Sequence, residues 1–537
     1  MVPTHIPDKP TALLFAAWLF TVLAALSGHP LWPIDETRYA GVAWEMWLRQ
    51  DFWVPYMNGQ PYSDKPPLLF WLLQAGWWLF GVNDWWPRVG PALFALGSLW
   101  LTGGLAKQLW PEYPELRWLA PAILMSCTLW VVFSAALMFD LVLTFWVLLA
   151  ITGVLAMTRG ARHGFWLMSA GLGLGVLTKG PVVLLHVLPV ALLAPVWSST
   201  PIPSWPRWYR QILFAVLLAA GLALAWAVPA ALRGGEDYAR AIFWDQTSGR
   251  LAASFAHQRP WWWYLPLLPL LFFPWSLWPP AWSALARSSR DWRTVFCLCW
   301  VIPVFIAFSL ISGKQEHYLL PLFPACALFL GRALGRSTAT PSGNAQWPVA
   351  LFFLLMAGTV LITPYLQAPL DWPTWTAALP QSGGLALLVL GGLLLLPRQP
   401  RPLLERVGMV ATASLVAVAI CHFFILNRID AYDLRAVSHF LGERQAAGSP
   451  LAHLGRYHEQ FHFYGRLRQP IDAIDPDKAD RWARQHPNGF IVAYYRGRIP
   501  DVGSAPAFQQ AFRTRWLVVW PAAALATHRS DKPLSDP

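Results

Sequence analysis

Apolar runs long enough to cross a bilayer, which takes about 20 helical residues for ~30 Å of hydrocarbon, recur along most of this chain. They fall near residues 11–29, 88–106, 118–138, 141–158, 165–178, 181–197, 211–232, 262–285, 294–312, 317–333, 347–366, 383–397 and 407–426. The pattern predicts an all-α polytopic membrane protein of about 13 transmembrane helices. The run 66–81 (PPLLFWLLQAGWWLFG) is also apolar, but it opens on Pro66-Pro67 and is marginal in length. It reads as an interfacial or re-entrant helix, because counting it as a span would flip everything after it. The first run shows no small-residue cleavage pattern before a soluble domain and reads as a retained helix. After Leu426 the chain turns polar, with helix-like DLRAVSHFLGERQ and strand-like GFIVAYY and RWLVVW between turn residues. The expected division is a transmembrane unit over 1–426 and a small α/β unit over 427–537.

The polar exception lies between the first two spans, about residues 30–87. Asp35, Glu36, Arg38, Asp64 and Lys65 sit there beside segments that must live in lipid. Ionisable groups at such positions usually bind or react with something. Tyr39, Val42, Ala43, Met46 and Trp47 recur at helical spacing, which predicts an amphipathic helix along the interface. Asp35 and Glu36 could equally cap that helix. Asp64-Lys65 precedes the proline pair, which fixes an extended approach to the membrane.

Composition agrees with the pattern. Hydrophobic residues make up 56% of the 537 positions and charged ones only 13%, too few for a soluble fold of this size. The 35 Trp suit long water–lipid boundaries. The net charge of +12 fits cytoplasmic loops, anionic lipid and a phosphate-bearing substrate better than nucleic acid. The five cysteines all fall in apolar runs, which indicates neither a disulfide framework nor a metal cluster.

Basic residues set the expected orientation. With the N-terminus inside, Lys107/Arg117, Arg159/Arg162, Arg207/Arg210, Arg287/Arg290/Arg293, Arg332/Arg336 and Arg398/Arg401/Arg406 all fall on the cytoplasmic side. Asp35, Arg38, Asp64, Lys65, Asp140, Lys179, Arg250, His257, Lys314, Glu316 and His317 then share the opposite side, as does the polar C-terminal unit. Taken singly, Asp140 and Lys179 could be helix caps, His257 a solvated loop residue, and Lys314 and His317 markers of a helix start. Their common side points instead to an outward-facing polar cavity at the membrane surface.

The run DETRYAGVAWEMW…DFWVPYMNGQPYSDKPPLLFWL resembles the first-loop signature of the ArnT-like lipid-linked glycosyltransferases. These are relatives of the protein O-mannosyltransferases with the GT-C fold. MFD around Asp140, TKGP around Lys179, FAHQRPWWWYLP around His257 and K-x-x-HYLLPLFP from Lys314 match in the same order, so the resemblance covers most of residues 30–335. It implies about 13 helices, a periplasmic C-terminal domain and a bacterial inner-membrane location. It also implies transfer of a sugar from undecaprenyl phosphate to an acceptor at the periplasmic face. In the best-known branch the sugar is 4-amino-4-deoxy-L-arabinose and the acceptor a lipid A phosphate. By motif, Asp35 corresponds to a catalytic aspartate, Asp140 to a second functional acid, and Arg38 and Lys65 to cations near the donor phosphate. Glu36, Tyr39, Tyr62 and Lys179, with Lys314, His317, Tyr318 and the helper Arg250, are the expected donor and substrate contacts. Asp64 and His257 match a pair that holds a divalent metal, Zn or Mg/Mn. Asp64 stands where these proteins usually carry Glu, so the carboxylate is kept on a shorter arm.

The chemistry gives these residue types a reason to meet. Breaking a sugar–phosphate bond turns a singly charged phosphodiester into a phosphomonoester approaching two charges, and cations aimed there stabilise the transition state. Asp35 takes a proton if the acceptor is a hydroxyl, and orients the acceptor or steadies the sugar if it is a phosphate. A protein O-mannosyltransferase or a surface-polysaccharide transferase would differ only in the acceptor. A lipid-linked sugar transporter or flippase is the non-enzymatic alternative. Transporters, however, place their sites near the midplane and show internal repeats, whereas these charges gather on one side and no repeat is evident.

Overall fold

Proline placement decides which apolar runs become continuous helices. The computed structural model describes residues 9–526 except 203, 245–257, 289–290, 337–343, 367–375, 377–378, 397–401 and 427–428. Among the described residues eight helices are long and apolar enough to span a membrane, and four shorter apolar helices accompany them. The chain is a helical, multi-pass membrane protein. The expected 13 runs include several that do not form single helices. Run 118–138 breaks at Cys127 into a helix over Leu116–Ser126 and a short one over Thr128–Phe133. Run 262–285 carries Pro266, Pro269, Pro274, Pro279 and Pro280, and it folds as four short helical pieces between Leu265 and Ala286. Each proline lacks an N–H and clashes with the preceding turn, so no long helix survives there.

The elements that carry the first loop follow one another closely. Helix α1 (Lys9–Gly28) leads to α2 (Asp35–Arg49), a short hairpin of β1 (Tyr56–Met57) and β2 (Gln60–Pro61), then α3 (Leu68–Phe80) and α4 (Trp86–Leu109). Helix α3 has 13 residues, too short to span, in line with the reading of run 66–81. The hairpin turns on Asn58 and Gly59, both at positive φ, the backbone that a two-residue Asn-Gly turn needs.

The C-terminal residues form the expected mixed α/β layer. Its sheet contains β3 (Leu451–Leu454), β4 (Asp472–Ile474), β5 (Phe490–Tyr495), β6 (Phe508–Phe512) and β7 (Arg515–Pro521), in the order β4-β3-β5-β7-β6. Strand β3 runs parallel to β4 and β5, and β7 is antiparallel to β5 and β6. Period-2 alternation sends Ile491 and Ala493 to one face with Trp482 and Trp520. It sends Val492 to the other, with Val437 and Leu441 of the helix Arg435–Ala446.

This layer packs directly on the first loop. Asn58 exchanges two 2.8 Å hydrogen bonds with the Ile471 backbone. The Trp44 indole donates to Leu467 O at 2.8 Å, and Leu31 N donates to the Tyr464 hydroxyl at 2.7 Å. Trp77 stacks on Phe463 at 5.3 Å. Helix α2 is therefore covered on both sides. Tyr39, Val42, Ala43 and Met46 are buried as its amphipathic pattern predicts, and Glu36 and Glu45 are buried with them.

Candidate active site

The N-terminus of α2 is held by one buried ion pair. Arg88 of α4 donates to Glu36 Oε2 at 2.6 Å and to Oε1 at 3.2 Å. Glu36 also accepts from Trp32 N at 2.7 Å and from Leu137 N at 2.6 Å. The Arg88 fork fills its other donors with the carbonyls of His29 and Pro30, each at 2.6 Å. Burial pushes the Glu36 carboxyl up, but Arg88 and the two backbone donors outweigh it and hold it below the usual carboxylate range. The structure thus gives Glu36, expected among the substrate contacts, protein partners for both oxygens. It does not cap α2 either, since the N-cap is Ile34 without a side-chain bond.

Asp35, one position earlier, points the other way. Its carboxylate is exposed and pairs with Arg38 across one helical turn. Arg38 lies against the Tyr39 ring at 5.3 Å, and its Nε has no hydrogen-bond partner among the described residues. Burial works against the Arg38 charge, but Tyr62, Tyr39 and Asp35 more than compensate and keep it a firm cation. Burial, and then the Asp35 charge, push the Tyr39 phenol above its ordinary range; Arg38 opposes this and Asp140 adds to it. Asp35, Arg38, Tyr39, Tyr62 and Asp140 therefore share one electrostatic neighbourhood.

The second half of the site comes from helix ends. Helix α5 (Phe139–Thr158) carries Asp140 in its first turn, and α6 (His163–Lys179) ends on Lys179, where Gly180 at φ 81° stops the helix. The Lys179 ammonium reaches Asp140 Oδ1 at 2.6 Å and lies 4.4 Å from the centre of the Tyr318 ring. His317 Nε2 is 3.9 Å from Asp140 Oδ2. Asp140 is almost wholly buried, whereas Lys179 keeps some exposure. The ring of Phe139 meets Tyr39 edge-on at 4.9 Å and joins this cluster to α2.

The remaining expected residues divide. Lys65 is half-buried at the Pro66-Pro67 lead-in to α3, its ammonium 3.4 Å from Asp64 O, and Asp64 is exposed. Lys314 is turned inward: 2% exposed, it donates to the carbonyls of Arg259, at 3.0 Å, and Ile311. Its ammonium ties the loop before Pro260 to the end of the helix Trp292–Leu310 through main-chain carbonyls. Arg250 and His257 lie outside the described residues, and with His257 goes the second half of the expected Asp64–His257 metal pair. Among the described residues one group could hold a metal, Glu45 with Glu459 and His462.

Sequence reasoning missed the Arg88 clamp and this Glu45 cluster. Arg88 opens a span, where a basic residue is ordinarily read as topology. Glu45 is a lone acid among apolar neighbours in AWEMW, which was a signal. Its partners Glu459 and His462 lie more than 400 positions away and carried none.

Comparison with known proteins bears on the fold and the relatives of the chain. Residues 14–233 match the family model described as dolichyl-phosphate-mannose-protein mannosyltransferase. Undecaprenyl phosphate-alpha-4-amino-4-deoxy-L-arabinose arabinosyl transferase 2 of Pseudomonas fluorescens (strain Pf0-1) is 28% identical over 508 residues, covering 88% of this chain and 90% of that one. The transferase of the same name from Pseudomonas aeruginosa (strain PAO1) is 33% identical over 373 residues, 66% of this chain and 65% of the relative. The crystal structure of ArnT from Cupriavidus metallidurans bound to undecaprenyl phosphate superposes with a TM-score of 0.74 at 20% identity, over 96% of this chain and 99% of that one. The apo form of the same protein gives 0.72 over the same coverage, and at such low identity both matches speak for the fold. With that fold, the mannosyltransferase segment and relatives along most of its length, the chain is similar throughout to the ArnT-like lipid-linked glycosyltransferases and has the fold of their solved member.

Proposed function

We propose that the protein transfers a sugar of the 4-amino-4-deoxy-L-arabinose type from undecaprenyl phosphate to a lipid A phosphate at the periplasmic face of the bacterial inner membrane. One observation carries the reading. An exposed Asp35 paired with Arg38 and a buried Asp140 paired with Lys179 act on the same Tyr39 and His317, in a fold shared with a protein solved with undecaprenyl phosphate. The named sugar and donor carrier come from the relatives, whose names state them.

In the proposed reaction an oxygen of the acceptor phosphate forms a bond to the anomeric carbon. The bond from that carbon to the donor phosphate breaks, and its electron pair leaves on the phosphate oxygen. The donor phosphate gains a negative charge, so cations are worth more in the transition state than in the ground state. Arg38 and Lys65 fill that role, and Lys179 adds a third charge. Asp140 is a positioning residue: too buried to meet substrate, it fixes the Lys179 ammonium beside Tyr318. A phosphate acceptor arrives already ionised, so Asp35 has no proton to remove. It orients the acceptor or steadies positive charge on the sugar ring, and it holds Arg38. A single displacement inverts the anomeric centre.

The positive-inside pattern supports a periplasmic site, with the unit over 427–537 outside as well. That unit packs on α2 and the hairpin, beside the proposed site. Expression in a strain lacking its own transferase, followed by mass spectrometry of lipid A, tests the proposal. Pentose-amine additions on the lipid A phosphates are expected. Unmodified lipid A with new sugar on protein or polysaccharide would move the acceptor to one of the alternatives.

A further inference from the structure

Glu45, Glu459 and His462 meet where α2 touches the C-terminal unit, away from the reacting groups. Their side chains are 7%, 0% and 1% exposed. His462 Nε2 lies 3.9 Å from Glu45 Oε1, and His462 Nδ1 lies 3.8 Å from Glu459 Oε1. One donor atom from each residue falls within 4.8 Å of the other two. Gly41 makes the meeting possible: a Cβ there would stand 2.4 Å from Glu459 Cγ, inside van der Waals contact.

The polar atoms in this pocket are under-satisfied. Glu45 accepts from Gly59 N at 2.9 Å, with Arg49 at 3.6 Å. The Asn58 backbone and the Glu45 carboxyl face Glu459, yet neither Glu459 oxygen has a hydrogen-bonded donor among the described residues. His462 Nε2 has none either, while its Nδ1 is 2.8 Å from the Tyr457 hydroxyl. Two buried carboxyls and a neutral imidazole have only the partly exposed Arg49 as a neighbouring cation, so one negative charge stays unmatched, an arrangement that burial disfavours.

We propose that Glu45, Glu459 and His462 bind a divalent cation of the zinc class, which fastens the C-terminal unit to the first-loop helix. A doubly charged ion neutralises both carboxylates and supplies the missing partner of every orphaned atom. One imidazole with two carboxylates is a ligand set that zinc accepts, at about 2.0–2.2 Å from each. Ligand atoms around such an ion stand ~3.4 Å apart, so separations of 3.9 Å and at most 4.8 Å close by side-chain rotation. Tyr457 then fixes the imidazole from its outer nitrogen, as partners of metal-bound histidines do. The cluster shares no residue with the expected Asp64–His257 pair or with the groups assigned to transfer.

The test is metal content. The full chain, purified in detergent, is stripped with chelator, reloaded with zinc chloride and washed, and its zinc is counted by mass spectrometry. Wild type is expected to hold one equivalent more than Glu459→Gln and Glu45→Gln, and Tyr457→Phe to bind Co2+ on the order of 10–100-fold more weakly. Glu45→Gln keeps an acceptor for Gly59 N and serves where Glu459→Gln does not fold. Equal zinc in wild type and both variants overturns the proposal. So does wild type that takes up no metal, which would leave a proton shared between the two carboxyls as the explanation.

Discussion

Arg38 and Glu36 sit two residues apart and serve opposite ends. Glu36 is saturated by Arg88, Trp32 N and Leu137 N, so it holds the fold. Arg38 keeps Nε without a partner among the described residues and has partly exposed neighbours, so its charge remains available to substrate. Stability and activity should therefore separate. Glu36→Gln strands a buried guanidinium and is expected to cost about 3–5 kcal/mol. Asp35→Asn breaks an exposed pair and is expected to cost less than about 1 kcal/mol while lowering turnover. Thermal unfolding in detergent beside sugar-transfer rates checks both. Arg38→Ala and Lys65→Ala are expected to lower turnover about a hundredfold at normal protein levels. Unchanged turnover in Lys65→Ala would remove that residue from the mechanism. The sequence showed that this run bears charge and where it lies, but Glu36 and Arg38 could not be told apart from spacing alone. Which side of α2 faces the protein is decided by Arg88, 52 residues on.

At the scale of elements, the contact of α2 with the C-terminal unit is the new feature. The amphipathic pattern through Tyr39, Val42, Ala43 and Met46 was legible, because helical period shows which residues turn inward. The second covering layer was not. It depends on Gly41, Asn58 and Trp44 meeting residues 459–471, and nothing local in either stretch encodes a pairing over such a separation. Gly41→Ala should push Glu459 off the helix, and it is expected to lower thermal stability and expose the unit to protease before the membrane helices unfold. The unit also carries an acid sensitivity. Burial pulls the His453 imidazole down to about 4, helped by His458 and opposed by the Gly455 carbonyl, with Tyr457, Tyr494 and Gln460 around it. An unfolded His takes up its proton near 6.5, so the unfolded state binds more protons than the folded one between about 6.5 and 4. His453's contribution is full above pH 6.5 and falls as the pH drops, by at most about 1.4 kcal/mol per pH unit. Unfolding of the purified protein from pH 7 to 4.5 is expected to show this slope, and His453→Gln to flatten it.

The whole molecule was legible as a class and less so as a count. Hydropathy named a polytopic helical protein with a small α/β tail, since a lipid-facing helix must be apolar over its full length. Among the described residues it does not show where an apolar run breaks, because a window average ignores where prolines fall, as between Leu265 and Ala286. Helix-end charges such as Asp140 and Lys179 stand out by the common side that the basic residues lead one to expect, and the fold joins them at 2.6 Å. Lys314 is expected on that side too, and its ammonium meets main-chain carbonyls, which it can satisfy as readily as phosphate.

Every role assigned to Asp35, Arg38, Lys65 and Lys179 depends on sugar transfer itself. The most direct measurement reconstitutes the purified chain in liposomes with undecaprenyl phosphate-4-amino-4-deoxy-L-arabinose and lipid A, then follows both lipids by mass spectrometry. Transfer at this site gives aminoarabinose on the lipid A phosphates with inverted anomeric configuration, release of undecaprenyl phosphate in equal amount, and near-complete loss of both in Arg38→Ala. A donor that crosses the bilayer unchanged, with no sugar on any acceptor, would contradict it.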